Sequence, residues 1–121
     1  MQLRTLPYSL TVCKVQSEAD FRLQNEFYFI AKTGDEYSLV CRTEDTPPHT
    51  TAREDGWRAF RIEGTLDFAL IGILSKLCGI LAEEKIGVFA VSTFNTDYVL
   101  VRQTQFDDAL AALRKAGYSI L

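Results

Sequence analysis

Apolar and polar residues alternate in residues 57–63, in the middle of the chain, with Phe60 and Ile62 on one face. Such alternation predicts a β-strand with one buried face. Residues 64–67 interrupt the alternation, and an apolar-rich segment that continues to about Lys85 predicts a long helix. The second half of the chain therefore begins with a strand followed by a helix.

A hairpin follows this helix. Residues 88–93 are apolar on both faces until the end of the run, which is typical of a central strand. Residues 94–96 form a short polar turn, and residues 97–102 are the predicted returning strand.

A second helix and a last strand complete the pattern. Thr104, with Asp107 three residues later, is a weak capping box and predicts the helix start. One apolar stripe follows at helical spacing, formed by Phe106, Ala109, Leu110 and Leu113. Gly117 ends the helix, and residues 118–121 form a short strand. Residues 57–121 are thus expected to form a βαββαβ unit of the ferredoxin-like α+β class.

The first half of the chain repeats this order in shortened form. Residues 8–13 are strand-like, and residues 27–33 and 36–42 flank Gly34-Asp35, a tight-turn signal. Residues 46–51 contain two prolines and four small or polar residues, which makes them the expected boundary. We therefore predict a truncated N-terminal copy in residues 1–50 and a complete domain in residues 51–121; an N-terminal sheet extension is the alternative.

The predicted long helix carries an unusually wide apolar arc. Its small and polar positions share one narrow side, whereas its apolar positions cover most of the circumference: Ala69, Leu70, Ile71, Ile73, Leu74, Leu77, Cys78, Ile80 and Leu81. One sheet cannot cover such an arc. A second surface is expected to cover it, either the N-terminal half, which we favour slightly, or a second subunit in a homodimer.

Composition and charge narrow the function classes. The 121 residues carry a formal net charge of −3, which argues against a nucleic-acid or anionic membrane surface. The start of the chain shows no secretory signal, and no apolar run is long enough to span a bilayer. Three widely separated cysteines fit no zinc or redox spacing and predict small core residues in a reducing cytoplasm. We expect no metal and no cofactor.

Three segments carry a resemblance to a known family: the loop and helix start at residues 64–68, the run at residues 72–74, and the hairpin at residues 86–101. Together they resemble the ACT-domain superfamily. Within it, the chain is similar to a bacterial branch of small stand-alone paired ACT proteins, which is related to the cytosolic arginine-sensor domains of animals. Residues 10–13, 38–41 and 54–58 fit the same branch. The resemblance covers nearly the whole chain and implies an ACT-type sandwich that senses a small molecule and has no catalytic activity.

In ACT domains the effector, usually an amino acid, lies where two modules pack side by side. It contacts the loop after the first strand, which here contains Gly64, Thr65, Leu66 and Asp67. Gly64 lets the backbone approach a ligand, and the amides that follow can bind a carboxylate. The Asp67 carboxylate is a candidate partner for a cationic group of the ligand, although it is equally suited to capping the helix.

The hairpin tip supplies the second set of candidate residues, Thr93, Asn95 and Asp97. In the related arginine sensor, the threonine and aspartate that match Thr93 and Asp97 line the ligand pocket. Asn and Asp are also favoured in turns for local reasons, and Asn95 is better explained as a turn former. The chain has Glu63-Gly64-Thr65-Leu66 where many ACT domains have an Asp-x-x-Gly turn with a proline, which leaves the effector open.

Other functions fit the sequence less well. Acylphosphatases share the strand order but need an arginine in the loop after the first strand, and residues 64–67 contain none. His49, the one histidine, lies in the proline-rich loop, so no Ser/His/Asp relay is indicated and no catalytic residue is predicted. An RNA-recognition module would need stacked aromatic residues on its sheet. A protein-interaction or assembly module without a small ligand remains the main alternative.

Overall fold

The computed structural model describes residues 1–64 and 71–121, which form two compact units. The C-terminal unit comprises Met1–Pro7 and Arg58–Leu121, and the N-terminal unit comprises Tyr8–Trp57. The first strand of the chain therefore belongs to the C-terminal unit, although it lies within the predicted domain of residues 1–50. The two-domain division itself stays a prediction.

The described secondary structure consists of eight strands and two α-helices. The strands are β1 (Gln2–Thr5), β2 (Leu10–Val15), β3 (Tyr28–Lys32), β4 (Tyr37–Arg42), β5 (Ala52–Ile62), β6 (Phe89–Ser92), β7 (Asp97–Arg102) and β8 (Ser119–Ile120), and the helices are α1 (Ile73–Glu83) and α2 (Phe106–Lys115). This content confirms the predicted α+β ferredoxin-like class.

The C-terminal unit has the strand order β6-β7-β5-β1-β8. In a plain βαββαβ sheet the last strand would pair with the first strand of the unit, which here is β5. Here strand β1 lies between β5 and β8 instead. It is antiparallel to β5, with Leu3 opposite Ile62, and parallel to β8, with Leu3 opposite Ile120. The N-terminal residues thus complete the sheet of the C-terminal unit.

One apolar core joins the sheet and both helices of the C-terminal unit. The whole predicted stripe of α2 is buried, together with Leu77 and Leu81 of α1. The sheet contributes the buried side chains of Leu3, Phe60, Ile62, Val99 and Val101. The chain reverses after α2 at Gly117, whose φ of +104° suits glycine, as predicted.

The N-terminal unit has the strand order β3-β4-β2-β5, which is the order of a βαββαβ sheet. A single 3₁₀ turn at Glu18–Asp20, capped by the Ser17 hydroxyl, replaces the first helix. The loop of residues 46–51 takes the place of the second helix. Cys13, Val15, Leu39 and Cys41 form its small core. This strand order is compatible with the predicted truncated copy, which stays a prediction.

Three local predictions were wrong. Strand β6 is an edge strand and not a central one: in the described chain it pairs only with β7, and Phe89 is exposed. Thr104 lies in a 3₁₀ turn, and α2 begins at Phe106 without a side-chain cap. The long helix does not run unbroken from residues 64–67, because Gly72 at φ +79° is left-handed and α1 begins at Ile73.

The wide apolar arc is only partly covered within the C-terminal unit. Leu77 and Leu81 are fully buried, Ile73, Leu74, Cys78 and Ile80 are half-buried, and Ile71 is almost fully exposed. Ala69 and Leu70 lie outside the described residues. A second covering surface for this arc stays a prediction.

Candidate functional site

The hairpin between β6 and β7 is closed by the side chain of Thr93. Its hydroxyl donates to the Thr96 carbonyl at 2.8 Å and accepts from the Thr96 amide at 3.3 Å. The Thr93 amide donates to the same carbonyl at 2.9 Å. Thr93 therefore acts first as a turn former, while Asn95 at the tip is exposed and carries no side-chain hydrogen bond within the described part of the chain.

Thr96 connects this turn to the end of strand β5. Its side chain is buried, and its hydroxyl donates a 2.7 Å hydrogen bond to the carbonyl of Ile62. Ile62 lies two residues before Gly64. This bond brings the two predicted halves of the site, the loop after β5 and the hairpin tip, to the same end of the sheet. Sequence analysis did not single out Thr96, because nothing local distinguishes it from other turn threonines.

Gly64 is the described residue of the loop after β5. Its φ is +89°, and apart from its chain neighbours no atom of the described residues would lie within 4 Å of a Cβ at this position. Among the described residues, the need for glycine is therefore conformational and not steric. Thr65, Leu66 and Asp67, the other predicted residues of this loop, lie outside the described residues.

Glu63 holds the entry to this loop. Its carboxylate accepts from Arg4 Nε at 3.0 Å and lies 3.4 Å from Arg61 Nε. These contacts, chiefly the hydrogen bond from Arg4, lower the pKa of the Glu63 carboxyl. Arg61 in turn bonds the side chain of Tyr98 on β7. Because Glu63 is already paired, its carboxylate is an anchor for β1, β5 and the loop.

Asp97 differs from Glu63 in its electrostatic surroundings. It is half-buried at the start of β7, opposite Ser92, and makes no ion pair with any described residue. Burial raises the pKa of the Cys78 thiol on α1, and the negative charge of Asp97 raises it further. The carboxylate of Asp97 is therefore close enough to α1 for its charge to act on the Cys78 thiol.

The N-terminal unit contains an equivalent hairpin between β3 and β4. Among the described residues, this hairpin has no counterpart of the hydrogen bond from Thr96 to Ile62. Thr33 closes that turn by accepting from the amides of Asp35 and Glu36, both at 3.2 Å. Glu36 occupies the position of Thr96 and is exposed, and an open cleft of roughly 400 Å³ lies between this hairpin and Lys14. The tightly closed version of the site is therefore in the C-terminal unit.

Two features expected of other functions are absent from the described residues. Neither 1–64 nor 71–121 contains a group of three or more His, Cys, Asp and Glu side chains that could hold a metal ion. In the same two ranges, no helix combines the length and the apolar character that a membrane span requires.

The strand order, the two helices on one core and the joined loops define a ferredoxin-like α+β module with its candidate site at one end of the sheet. A family model described as "ACT domain" matches residues 52–115, more than half of the chain. The chain therefore belongs to the ACT domain family, a family of regulatory domains. The predicted membership in the superfamily is confirmed.

Solved structures share the fold along the whole chain. Protein Atu0741 from Agobacterium tumefaciens is 29% identical, with a TM-score of 0.87 over 99% of this chain and 91% of that one. A Vibrio cholerae protein of unknown function is 16% identical, with a TM-score of 0.73 over 92% and 85%. The aspartate kinase of Clostridium acetobutylicum, an allosteric enzyme, is 14% identical, with a TM-score of 0.66 over 94% of this chain and 33% of the kinase. No curated protein sequence matched the chain.

Proposed function

We propose that this protein binds an amino acid at the end of the C-terminal sheet and acts as a sensor without catalytic activity. The observation that carries the proposal is the bond from Thr96 to Ile62, which supports Gly64 beside the hairpin that ends at Asp97. The glycine backbone at residue 64 suits the carboxylate end of the ligand, and the Asp97 carboxylate, which has no ion-pair partner among the described residues, suits its ammonium or guanidinium group.

The predicted residues Thr65, Leu66 and Asp67 belong to the same proposal. Their backbone amides would meet the ligand carboxylate, and the Asp67 carboxylate would pair with a ligand cation or cap the helix. Thr93 contributes mainly by shaping the turn, since its hydroxyl already donates to Thr96. Asn95 contributes through the turn and not through a ligand contact. The proposed protein is a cytoplasmic homodimer that needs no cofactor.

Thermal melts against the twenty amino acids and common nucleotides test this proposal. A ligand that binds only the folded state raises the melting midpoint. The resemblance to the arginine-sensor domains makes L-arginine the first amino acid to test. We expect one amino acid to raise the melting midpoint of the wild-type protein. The same amino acid should not raise the melting midpoint of the Asp97→Asn variant. Flat melts at millimolar concentrations would favour the alternative, an assembly module without a small ligand.

A further inference from the structure

One face of the N-terminal sheet corresponds to the face that carries the helices in the C-terminal unit. Strand β4 lies between β3 and β2, as β7 lies between β6 and β5. Leu39 and Cys41 on β4 lie 60 residues before Val99 and Val101 on β7, whose side chains belong to the core beneath α1 and α2. Leu39 and Cys41 therefore point to the side of their sheet on which a complete βαββαβ unit packs its helices.

Short segments stand on this face of the N-terminal unit in place of helices. They are the 3₁₀ turn Glu18–Asp20 and the loop of residues 46–51. A single turn and a loop bury less apolar surface than two amphipathic helices do. Part of the apolar surface on this side of the sheet is therefore left exposed.

The exposed part is an apolar surface, which we call the aromatic patch and which consists of Phe21, Leu23, Tyr28, Ile30 and Tyr37. The three aromatic residues pack on the small core of the N-terminal unit but stay half-buried. Ile30 lies opposite Leu39 on the neighbouring strand and is 38% exposed, although residues opposite each other in a sheet share one face. Leu23 is 77% exposed. Large apolar side chains are thus available to a partner.

Specific contacts hold the aromatic patch in shape. The rings of Phe21 and Tyr37 meet edge to face with their centroids 6.2 Å apart. The hydroxyl of Tyr28 accepts a 3.1 Å hydrogen bond from the Arg22 amide, which ties the segment around Leu23 to strand β3. The open cleft of roughly 400 Å³ continues the surface beside Tyr37. A surface that is ordered before binding loses less conformational entropy on binding, and aromatic residues are enriched at protein interfaces.

The charges around the aromatic patch are mostly negative. Residues 16–37 contain five carboxylates and two cations, namely Glu18, Asp20, Glu26, Asp35 and Glu36 against Arg22 and Lys32. The ammonium group of Lys32 is already ion-paired with Glu18. Asp20 and Glu36, each directly before an aromatic residue of the patch, make no ion pair with any described residue. A complementary partner is therefore apolar at its centre and basic at its edges.

We propose that the aromatic patch binds an amphipathic helix of a partner protein, with the apolar stripe of the helix on the patch and its basic residues near Asp20 and Glu36. The occupant is a helix because the corresponding face of the C-terminal unit carries helices, and α2 buries its whole apolar stripe there. Helices that dock into grooves use such a stripe, with apolar residues at positions i, i+3, i+4 and i+7. The patch contains no residue of the proposed ligand site, so this inference does not depend on amino-acid binding.

A peptide based on α2 provides the probe. Residues 103–117 contain the stripe and the basic residues Arg114 and Lys115, and the changes Asp107→Lys and Asp108→Lys make both flanks basic. We expect the labelled peptide to bind the whole protein in fluorescence anisotropy titrations, and to bind less tightly as the salt concentration rises. The same peptide with Leu110→Glu, which interrupts the stripe, should not bind.

Two neighbouring positions on β3 give a matched pair of protein variants. Ile30→Lys and Ala31→Lys each add one positive charge at an exposed position, but adjacent residues of a strand point to opposite faces of the sheet. We expect Ile30→Lys to weaken peptide binding by about tenfold or more, and Ala31→Lys to bind as the wild type does. Leu23→Lys should also weaken binding, and circular dichroism melts establish that the variants fold.

Three results would overturn the proposal: no anisotropy change with the basic peptide, equal binding of the peptide with the interrupted stripe, or equal effects of Ile30→Lys and Ala31→Lys. Light scattering tests whether a second copy of the chain occupies the patch instead. A wild-type dimer that dissociates in Ile30→Lys but not in Ala31→Lys would assign the aromatic patch to that second copy, and would also overturn the proposal.

Discussion

The hydroxyl of Thr96 donates a 2.7 Å hydrogen bond to the carbonyl of Ile62, a residue 34 positions earlier in the chain. This bond connects the tip of the β6–β7 hairpin to the end of β5. Both residues are buried, so the carbonyl has no access to water if the hydroxyl is removed. The Thr96 side chain therefore links the two parts of the candidate site through a buried hydrogen bond.

Replacing Thr96 by valine removes this donor at nearly constant volume. The buried Ile62 carbonyl loses its side-chain partner, and we expect the free energy of unfolding to fall by about 1–3 kcal/mol. Urea denaturation measures the loss. Thr104→Val, an exposed position whose predicted capping role the structure does not show, serves as control and should change stability by no more than about 0.5 kcal/mol. Equal losses in both variants would argue against a special role of the Thr96 bond.

The positive φ of Gly64 leads to a second prediction. Alanine at φ +89° is strained whatever space surrounds its methyl group, so Gly64→Ala should lower the free energy of unfolding by about 1–2 kcal/mol. Gly34 in the other hairpin also has open space but not a positive φ. Gly34→Ala should therefore be neutral or raise stability by up to about 1 kcal/mol. The two variants should move the urea midpoint in different directions or by clearly different amounts.

Much of the fold could be predicted because it depends on periodic patterns. The buried residues of α2 are those of the predicted stripe, and the hairpins begin and end near the predicted turns. Local patterns cannot show which strand lies at the edge of a sheet, because strand order depends on long-range pairing. The apolar run of β6 was therefore assigned to the sheet centre, where runs of that kind usually lie.

The candidate site could be predicted only in outline. Gly64 is visible in the sequence because a glycine lets the backbone approach a ligand, whereas Asp97 is suggested by the resemblance to domains in which the matching aspartate lines the ligand pocket. The link through Thr96 depends on two residues that only the folded sheet brings together. The role of β1 in the C-terminal sheet is likewise a long-range pairing that its four residues do not indicate.

The proximity of Asp97 to Cys78 predicts a change in thiol reactivity. Burial is the larger cause of the raised pKa of Cys78, and the Asp97 charge adds to it. Asp97→Asn removes that charge, so the pKa of the Cys78 thiol should fall. The thiolate fraction of Cys78 at pH 8 then rises, and its alkylation becomes faster. Iodoacetamide labelling followed by mass spectrometry measures the rate at each cysteine.

The same experiment has an internal control. Cys41 is buried, and burial raises the pKa of its thiol to about 11, so it should stay unlabelled in both proteins while they are folded. An unchanged Cys78 rate in Asp97→Asn would show that the carboxylate is not close to α1. Rapid labelling of Cys41 would instead indicate unfolding.

Isothermal titration of the amino acid that raises the melting midpoint shows whether the ligand binds at the end of the C-terminal sheet, with the Asp97 carboxylate as the partner of its cationic group. Asp97→Asn should weaken binding by about tenfold or more, as expected for loss of a charged hydrogen bond. Asp35→Asn, at the exposed tip of the equivalent hairpin, should bind as the wild type does. Equal affinity of Asp97→Asn and wild type, or binding lost in Asp35→Asn instead, would contradict the account.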